Sequence, residues 1–195
     1  MDGNIEEIIK VGKNLHDKNL VSGKAGNISI RVHYDEGDVV AITPTLSSLG
    51  DLDPENIVLV NLDGNVINNG NPSSEIGFHL EIYKKREDVN AIVHTHSPYA
   101  TGFAFSSKKI KRLEGFGQIK TPFIEEIEYE KPGSVELSKA ISNNINQEDV
   151  LILKHHGILC VGENLKEAES LALFIEDTAK TQFVTHMLNL TENKD

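Results

Sequence analysis

The stretch A-I-V-H-T-H-S-P-Y, residues 91–99, joins a strand-like apolar run to two histidines. Side chains at positions i and i+2 of a strand point to the same side of a sheet, so His94 and His96 should project together. Ser97 and Pro98 then interrupt the hydrogen-bonded ladder, which places the pair at a strand end open to solvent. Neutral imidazole is the commonest protein ligand for metals. The stretch therefore predicts part of a metal site.

A second histidine pair follows another apolar run, in which residues 150–153 lead into Lys154-His155-His156-Gly157. Adjacent strand residues point to opposite faces, so only one of His155 and His156 can share a site with the first pair. Strand geometry leaves open which one. Three histidines with an open fourth position are the ligand set of a catalytic zinc. Either motif alone would favour ordinary core or surface histidines, whereas two such motifs at strand ends favour a metal site.

Glu75 follows Pro72-Ser73-Ser74 at the start of a helix predicted over residues 73–86. An acidic residue in a first helical turn has an ordinary explanation in the helix dipole. The same position offers two serine hydroxyls and free backbone amides, which suit a phosphate group. His79 lies one turn further along the same face, and the pattern alone does not exclude it as a ligand.

Other polar or reactive residues have simple structural interpretations. Gly26 and Asn27 lie in a loop of small residues that is predicted to be a turn, and Thr45 follows Pro44, which ends a predicted strand. Cys160 alternates with apolar neighbours and is predicted to be a buried small residue. The acidic cluster at 125–130 is predicted to form a solvated face.

Length and composition limit the classes of function. The chain has 195 residues and a formal net charge of −11. It fits one compact domain, residues 1–195, because no linker-like composition divides it. The negative charge argues against nucleic acid or an anionic membrane as partner, although local amides and hydroxyls can still hold a phosphorylated substrate. A single cysteine, an N-terminus without signal-peptide character and the lack of a membrane-length apolar run favour a cytoplasmic location.

Hairpin-like strand pairs with helices inserted between them predict an α/β sandwich whose sheet is largely antiparallel. Helices are expected near residues 4–19, 73–86, 98–105, 134–145 and 164–190, and residues 107–133 show no clear pattern. The glycine-rich nucleotide fingerprint and the P-loop are both absent from the sequence.

These motifs occur in one order along residues 5–185: G-K-A-G-N-I-S, I-T-P-T, P-S-S-E, H-T-H-S-P-Y-A and K-H-H-G. The series resembles the class II aldolase/adducin family, and within it the members that cleave L-fuculose 1-phosphate. The resemblance implies a three-layer α/β/α sandwich around a mostly antiparallel sheet of nine strands. It also implies a homotetramer with active sites at the subunit interfaces.

The same resemblance implies roles for the candidate residues. One Zn²⁺ per subunit would bind to His94, His96 and His156, which makes His155 the packing member of its pair. Glu75 matches the catalytic acid/base, which can also bind the zinc when substrate is absent, and His79 matches a family position that is not a ligand. Phosphate contacts are implied for Gly26, Asn27, Thr45, Ser73 and Ser74.

The implied reaction is the reversible cleavage of L-fuculose 1-phosphate to dihydroxyacetone phosphate and L-lactaldehyde through a metal-stabilised enediolate. Glu75 would exchange a proton with the dihydroxyacetone phosphate fragment. The alternatives are a ribulose-5-phosphate 4-epimerase, a related sugar-phosphate lyase such as methylthioribulose-phosphate dehydratase, and an adducin-like binding module. Epimerases usually carry P-S-S-D where this chain has P-S-S-E, which favours the aldolase, and the retained histidines and Glu75 favour an enzyme.

Three departures from the family pattern bear on the substrate. Leu46 occupies the usual glycine position of I-T-P-[ST]-G, which affects one backbone contact to phosphate. No counterpart of the middle-region tyrosine aligns near residues 113–117, and the chain ends at Asp195, before a C-terminal tyrosine tail. Tyr129 is the predicted substitute that donates a proton to the aldehyde oxygen, and relaxed aldehyde specificity is expected.

Overall fold

The computed structural model describes residues 1–113 and 121–192. Within these ranges, seven strands form one sheet in the order β3-β2-β1-β4-β7-β6-β5. The strands are β1 Asn27–Val32, β2 Val39–Ile42, β3 Val58–Asn61, β4 Ala91–Thr95, β5 Glu125–Ile127, β6 Val150–Leu153 and β7 Gly157–Gly162. The helices are α1 Asp2–Asp17, α2 Ile76–Lys85, α3 Pro98–Ala104, α4 Val135–Asn144 and α5 Leu165–Glu192. Neighbouring strands are antiparallel except for β5 and β6, which are parallel.

Helices cover both faces of the sheet. One core cluster joins α1, α3 and α5 to sheet residues that include Ile28, Val93 and Cys160. The other joins α2 and α4 to the opposite face, where Ile92 and Leu159 lie. This confirms the predicted α/β/α sandwich with a mostly antiparallel sheet. The resemblance implied nine strands, and the described ranges contain seven together with isolated bridges at Pro44–Pro72, Val60–Val66 and Lys111–Phe123.

Strand β4 lies in the middle of the sheet, and its residues are buried on both faces. It pairs with β1 on one side and β7 on the other, and the register sets His94 opposite both Asn27 and Leu159. Strand alternation puts His94 on the same face as Ile92, which is the face covered by α2 and α4. The end of β4 therefore meets the beginning of α2.

The predicted helices all form, with boundaries that shift by a few residues. Helix α2 begins at Ile76 rather than at residue 73, and Glu75 occupies its N-cap position. Phe78, Leu80 and Ile82 are buried, as their spacing predicts. Among the helices of the described ranges, none combines the length and the hydropathy that crossing a membrane requires.

The acidic cluster at 125–130 is only partly the solvated face that the composition predicts. Glu125 and Glu128 are exposed, but residues 125–127 form strand β5 at the sheet edge. The Glu126 side chain is 11% exposed, and its carboxylate oxygens lie 3.2 Å from Lys109 Nζ and 3.9 Å from Lys154 Nζ. The hydrophobic pattern did not predict this strand because the strand contains charged side chains. An edge strand tolerates such charges, whereas a central strand does not.

Candidate functional site

Three imidazole rings converge at the end of the central strands. His94 is in β4, His96 follows that strand, and His156 lies in the turn between β6 and β7. The Nε2 atom of His94 is 3.0 Å from Nε2 of His96 and 3.3 Å from Nε2 of His156. Two nitrogens that bind one tetrahedral Zn²⁺ at about 2.0–2.1 Å lie about 3.3 Å apart. The spacing of the three nitrogens therefore fits a shared metal ion.

The protonation of these rings also suits metal binding. His94 Nδ1–H donates to the Ile158 carbonyl at 2.9 Å, which leaves the Nε2 lone pair directed into the site. Burial, with a smaller effect of neighbouring histidines, lowers the pKa of His94 to about 3 and that of His156 to about 4. Burial also lowers the pKa of His96. Neutral imidazole is the form that binds a metal, so no proton has to be displaced at neutral pH.

The Glu75 carboxylate faces the same nitrogens. Its Oε2 atom lies 3.3 Å from His94 Nε2, and its Oε1 atom lies 3.4 Å from His156 Nε2. Because the rings are neutral, these contacts are not ion pairs. Glu75 is buried, and its Oε1 atom has no hydrogen-bond donor among the described residues. A buried carboxylate oxygen without a donor, directed at three imidazole nitrogens, fits the fourth ligand position of a bound cation.

A cavity of about 250 Å³ opens beside Glu75 and the histidines. Three chain segments contribute most of its lining, at residues 24–27, 44–46 and 73–75. All five residues for which the resemblance implies phosphate contacts line it, namely Gly26, Asn27, Thr45, Ser73 and Ser74. The fold thus brings together segments that are separated in the sequence, and it places hydroxyl groups next to the metal-ligand set.

Two glycines permit the close packing of this site. Gly157 directly follows His156, and a Cβ atom there would lie 2.5 Å from the Thr95 carbonyl oxygen and 3.1 Å from His94 Cε1. Gly26 has a φ of 82°, and a Cβ atom there would lie 2.7 Å from the His94 carbonyl oxygen. Any larger residue would push the neighbouring strands away from the end of β4.

Asn27 links Glu75 to His79. The Asn27 amide donates from Nδ2 to Glu75 Oε2 at 2.8 Å, and its Oδ1 atom lies 2.6 Å from His79 Nε2. The other ring nitrogen of His79 is 2.7 Å from Ser29 Oγ. Both nitrogens of His79 are therefore engaged away from the three converging rings, in agreement with the expectation that it is not a ligand. The Asn27 side chain is occupied by these two contacts, and its contact to phosphate stays a prediction.

His155 lies outside the site. Its φ is 54°, its backbone N–H donates to the Ala104 carbonyl at 3.1 Å, and its ring packs edge-on against Phe105. The Tyr129 ring is also edge-on to this ring, with 6.2 Å between the ring centroids. Tyr129 does not line the cavity, so its predicted role as a proton donor stays a prediction. The middle-region position near residues 114–117 lies outside the described residues.

Leu46 shows why the family favours glycine at its position. Its φ is 58°, in the left-handed region that glycine adopts without strain, and its side chain is 72% exposed. A leucine in this conformation costs about 1–2 kcal/mol, but it keeps the backbone path of the turn. The substitution therefore changes the side chain at the cavity mouth and retains a glycine-like backbone.

The interpretation of the sequence missed two contributions to the cavity. Lys24 is the only lysine or arginine that lines the cavity among the described residues, and its position in the glycine-containing G-K-A-G-N loop was the available signal. Pro132 also lines the cavity, and the next residue, Gly133, has a φ of 74°. A Cβ atom on Gly133 would lie 2.9 Å from the Ser74 carbonyl oxygen, so this loop packs on the serine pair. The Pro132-Gly133 dipeptide, which is typical of a turn, was the sequence feature that could have indicated this loop.

Comparisons with known proteins agree with this geometry. Residues 6–183 match the family described as Class II Aldolase and Adducin N-terminal domain. L-fuculose phosphate aldolase of Methanococcus maripaludis is 38% identical, with 94% of this chain and 98% of that protein covered. 5-deoxy-D-ribulose 1-phosphate aldolase of Bacillus thuringiensis is 36% identical, with coverages of 92% and 84%. 3-oxo-tetronate 4-phosphate decarboxylase of Haemophilus influenzae is 31% identical, with coverages of 91% and 86%.

The fold comparison leads to the same family. A solved structure of an L-fuculose 1-phosphate aldolase superposes with a TM-score of 0.85 at 29% identity, over 95% of this chain and 87% of that one. The relatives above are enzymes by name, which speaks against the adducin-like binding module. The family match spans most of the chain, and the chain therefore belongs to the class II aldolase and adducin family, as a lyase of the class II aldolase type.

Proposed function

We propose that this enzyme is a zinc-dependent aldolase that reversibly cleaves L-fuculose 1-phosphate to dihydroxyacetone phosphate and L-lactaldehyde. The observation that carries the proposal is the convergence of three neutral imidazole nitrogens and one free Glu75 oxygen beside a hydroxyl-lined cavity. The substrate assignment is supported by relatives named L-fuculose phosphate aldolase, which are 38% and 39% identical to this chain.

Zinc is the metal that we assign, one ion per subunit, to His94, His96 and His156. Three histidines with an open position are typical of catalytic zinc, and Glu75 Oε1 would fill that position when substrate is absent. When bound, the ion would supply a Lewis acid that stabilises the negative charge developing on the substrate oxygens as the carbon–carbon bond breaks.

The substrate phosphate is assigned to the hydroxyl-bearing residues of the cavity lining. The hydroxyls of Ser73, Ser74 and Thr45 can donate to phosphate oxygens, and Gly26 allows the phosphate to approach the backbone closely. Lys24 also lines this cavity, and its ammonium group can add a positive charge to the phosphate site. Phosphate contacts to these residues would anchor the substrate and orient its sugar chain relative to the histidines.

Glu75 is assigned as the acid/base that exchanges a proton with the dihydroxyacetone phosphate fragment. The amide of Asn27 donates to Oε2, which fixes the orientation of the carboxylate. The other carboxylate oxygen accepts no hydrogen bond from the part of the chain that the structure describes, and it remains available to a substrate proton or to the metal. Tyr129 remains our predicted proton donor to the aldehyde oxygen.

A direct test incubates the purified enzyme with dihydroxyacetone phosphate and a panel of aldehydes, with ribulose 5-phosphate in a parallel reaction. The fastest aldol formation is expected with L-lactaldehyde, and one zinc ion per subunit is expected from metal analysis. Epimerisation of the pentulose phosphate without any aldol product would overturn the aldolase assignment. A metal-free protein that is equally stable with and without chelator would overturn the zinc assignment.

A second candidate substrate is 5-deoxy-D-ribulose 1-phosphate, because a relative of that activity is 36% identical. Its cleavage between C3 and C4 gives dihydroxyacetone phosphate and acetaldehyde, so acetaldehyde belongs in the panel. Faster reaction with acetaldehyde than with L-lactaldehyde would favour this second candidate. The 3-oxo-tetronate 4-phosphate activity of a further relative is tested by release of carbon dioxide from that compound.

The homotetramer and the cytoplasmic location remain predictions from the resemblance and the composition. Light scattering coupled to size-exclusion chromatography tests the assembly, and we expect four times the chain mass of 21.5 kDa.

A further inference from the structure

A row of buried polar side chains extends from Glu75 into the interface between β1 and α2. Tyr83 OH lies 2.7 Å from Ser29 Oγ, which in turn lies 2.7 Å from His79 Nδ1. His79 Nε2 lies 2.6 Å from Asn27 Oδ1, and Asn27 Nδ2 lies 2.8 Å from Glu75 Oε2. All four residues behind the carboxylate are 3% exposed or less. The row therefore has no access to bulk water along its length.

The hydrogen bonds of this row have one consistent direction. The Glu75 carboxylate accepts, so Asn27 presents its NH₂ group to Glu75 and its carbonyl oxygen to His79. That oxygen requires a proton on His79 Nε2. Burial lowers the pKa of His79 well below its usual value, so the ring is neutral and its Nδ1 atom accepts from the Ser29 hydroxyl. Ser29 Oγ then accepts from the Tyr83 phenol, and each donor points toward Glu75.

The fold builds this row from two simple periodicities. Asn27 and Ser29 are alternate residues of β1 and share one face of the sheet. His79 and Tyr83 are one turn apart on α2 and share one face of that helix. Phe78 stacks on His79 at a centroid distance of 4.6 Å, and the Arg31 guanidinium lies 5.3 Å from the centroid of the Tyr83 ring. Apolar residues of similar size could stabilise this interface equally well, so stability alone does not account for four linked polar groups.

We propose that Tyr83, Ser29 and His79 are positioning residues that act through Asn27 to orient the Glu75 carboxylate. This inference rests on the proposed role of Glu75 as the acid/base. Without the proton on His79 Nε2, the Asn27 amide loses its fixed orientation and its NH₂ group no longer holds Oε2 in place. The carboxylate then samples other orientations, and proton exchange at the substrate carbon slows. The three zinc-binding histidines are not in this row, and removing the Tyr83 or Ser29 hydroxyl leaves Asn27 and Glu75 themselves unchanged, so metal content and substrate affinity should be retained.

The test uses the full chain loaded with zinc, and it follows the exchange of the dihydroxyacetone phosphate C3 hydrogen with D₂O by ¹H NMR. Tyr83→Phe and Ser29→Ala each remove one hydroxyl from the row and keep the surrounding shape. We expect each to lower kcat for exchange about tenfold, with the KM for dihydroxyacetone phosphate and the zinc content unchanged. Tyr34→Phe, which removes an exposed phenol outside the row, is the matched control and should leave kcat unchanged.

A second measurement is independent of activity. In ¹⁵N-histidine-labelled protein, His79 should show the neutral form with its proton on Nε2, and Ser29→Ala should alter its Nδ1 shift. His79→Gln retains an N–H donor for Asn27 and should recover more activity than His79→Leu, which retains none.

The outcomes separate this inference from the proposed function. If the wild-type enzyme exchanges the proton and both hydroxyl-deletion variants exchange it equally fast, the positioning role is overturned while the aldolase assignment stands. If kcat falls only together with zinc content or melting temperature, the row is merely structural and the inference is overturned. If the wild-type enzyme exchanges no proton, the role of Glu75 is overturned and this inference with it.

Discussion

Substitution of Gly157 by alanine tests whether the histidines depend on close packing at the end of β4. An added Cβ atom would lie 2.5 Å from the Thr95 carbonyl oxygen, 3.0 Å from His96 Cδ2 and 3.1 Å from His94 Cε1. The nearest of these atoms belongs to the backbone of the central strand, so a side-chain rotation cannot relieve the contact. Either β7 must move away from β4 or the two rings must shift, each by several tenths of an ångström.

This overpacking should cost about 1–3 kcal/mol of unfolding free energy. Metal sites tolerate displacements of about 0.2 Å in ligand distance, and the shift exceeds that tolerance. We therefore expect Gly157→Ala to bind Zn²⁺ about 10- to 100-fold more weakly, in the range of losses caused by disturbed ligand orientation. Competition with a fluorescent zinc chelator measures the affinity, and thermal unfolding with and without zinc measures the stability.

Gly102→Ala is the matched control. Gly102 lies within α3, and a Cβ atom there would meet no atom of the described residues within 4 Å. Alanine favours a helix over glycine by up to about 1 kcal/mol, so this variant should keep its zinc affinity and melt at an equal or higher temperature. Equal zinc affinity in Gly157→Ala and wild type would refute the reasoning, because the rings would then not depend on the space that glycine leaves.

Three further predictions follow from the site and the core. Glu75→Gln should lower kcat for dihydroxyacetone phosphate proton exchange by about 10²–10⁴-fold, because the amide cannot accept the proton, and full activity in this variant would remove the assigned role. Lys24→Gln should raise the KM for dihydroxyacetone phosphate by about 5- to 10-fold with little change in kcat, because a charge-assisted contact to phosphate is lost. Lys10→Gln, on the exposed face of α1, is the control. Equal KM values for Lys24→Gln and the wild-type enzyme would contradict the contact. Burial raises the pKa of the Cys160 thiol, so it should not react with a thiol reagent at pH 8 in the folded protein and should react fully in denaturant. Rapid labelling of the folded protein would show that β7 opens.

Local patterns in the sequence were sufficient for much of this protein. The i, i+2 spacing of His94 and His96 after an apolar run predicted two rings on one side of a strand end, and both rings lie there. The same reasoning predicted the buried face of α2 and the buried thiol of Cys160. The ordered motifs led to the family and to the α/β/α sandwich, both of which are confirmed. These features depend on the backbone period and on short motifs, which neighbouring residues encode directly.

Strand geometry alone could not choose between His155 and His156. The backbone turns at His155, whose positive φ directs its ring toward Phe105, while His156 meets His94 across the sheet. The charged strand β5 was missed because its edge position, and not its composition, allows it to pair with β6. In both cases the outcome depends on which strand lies alongside, and a single segment does not contain that information.

The contacts around Glu75 show the same division most clearly. Its position before a helix could be read from Pro72-Ser73-Ser74, but its hydrogen bond to Asn27 joins residues 48 positions apart. His79 follows Glu75 by one helical turn, yet its partners Asn27 and Ser29 come from β1. Strand order and register bring these groups together, and both result from packing summed over the whole chain. Short segments of the sequence thus specify the residue types of the site. The contacts between these residues form only when the sheet and its two helical layers have assembled.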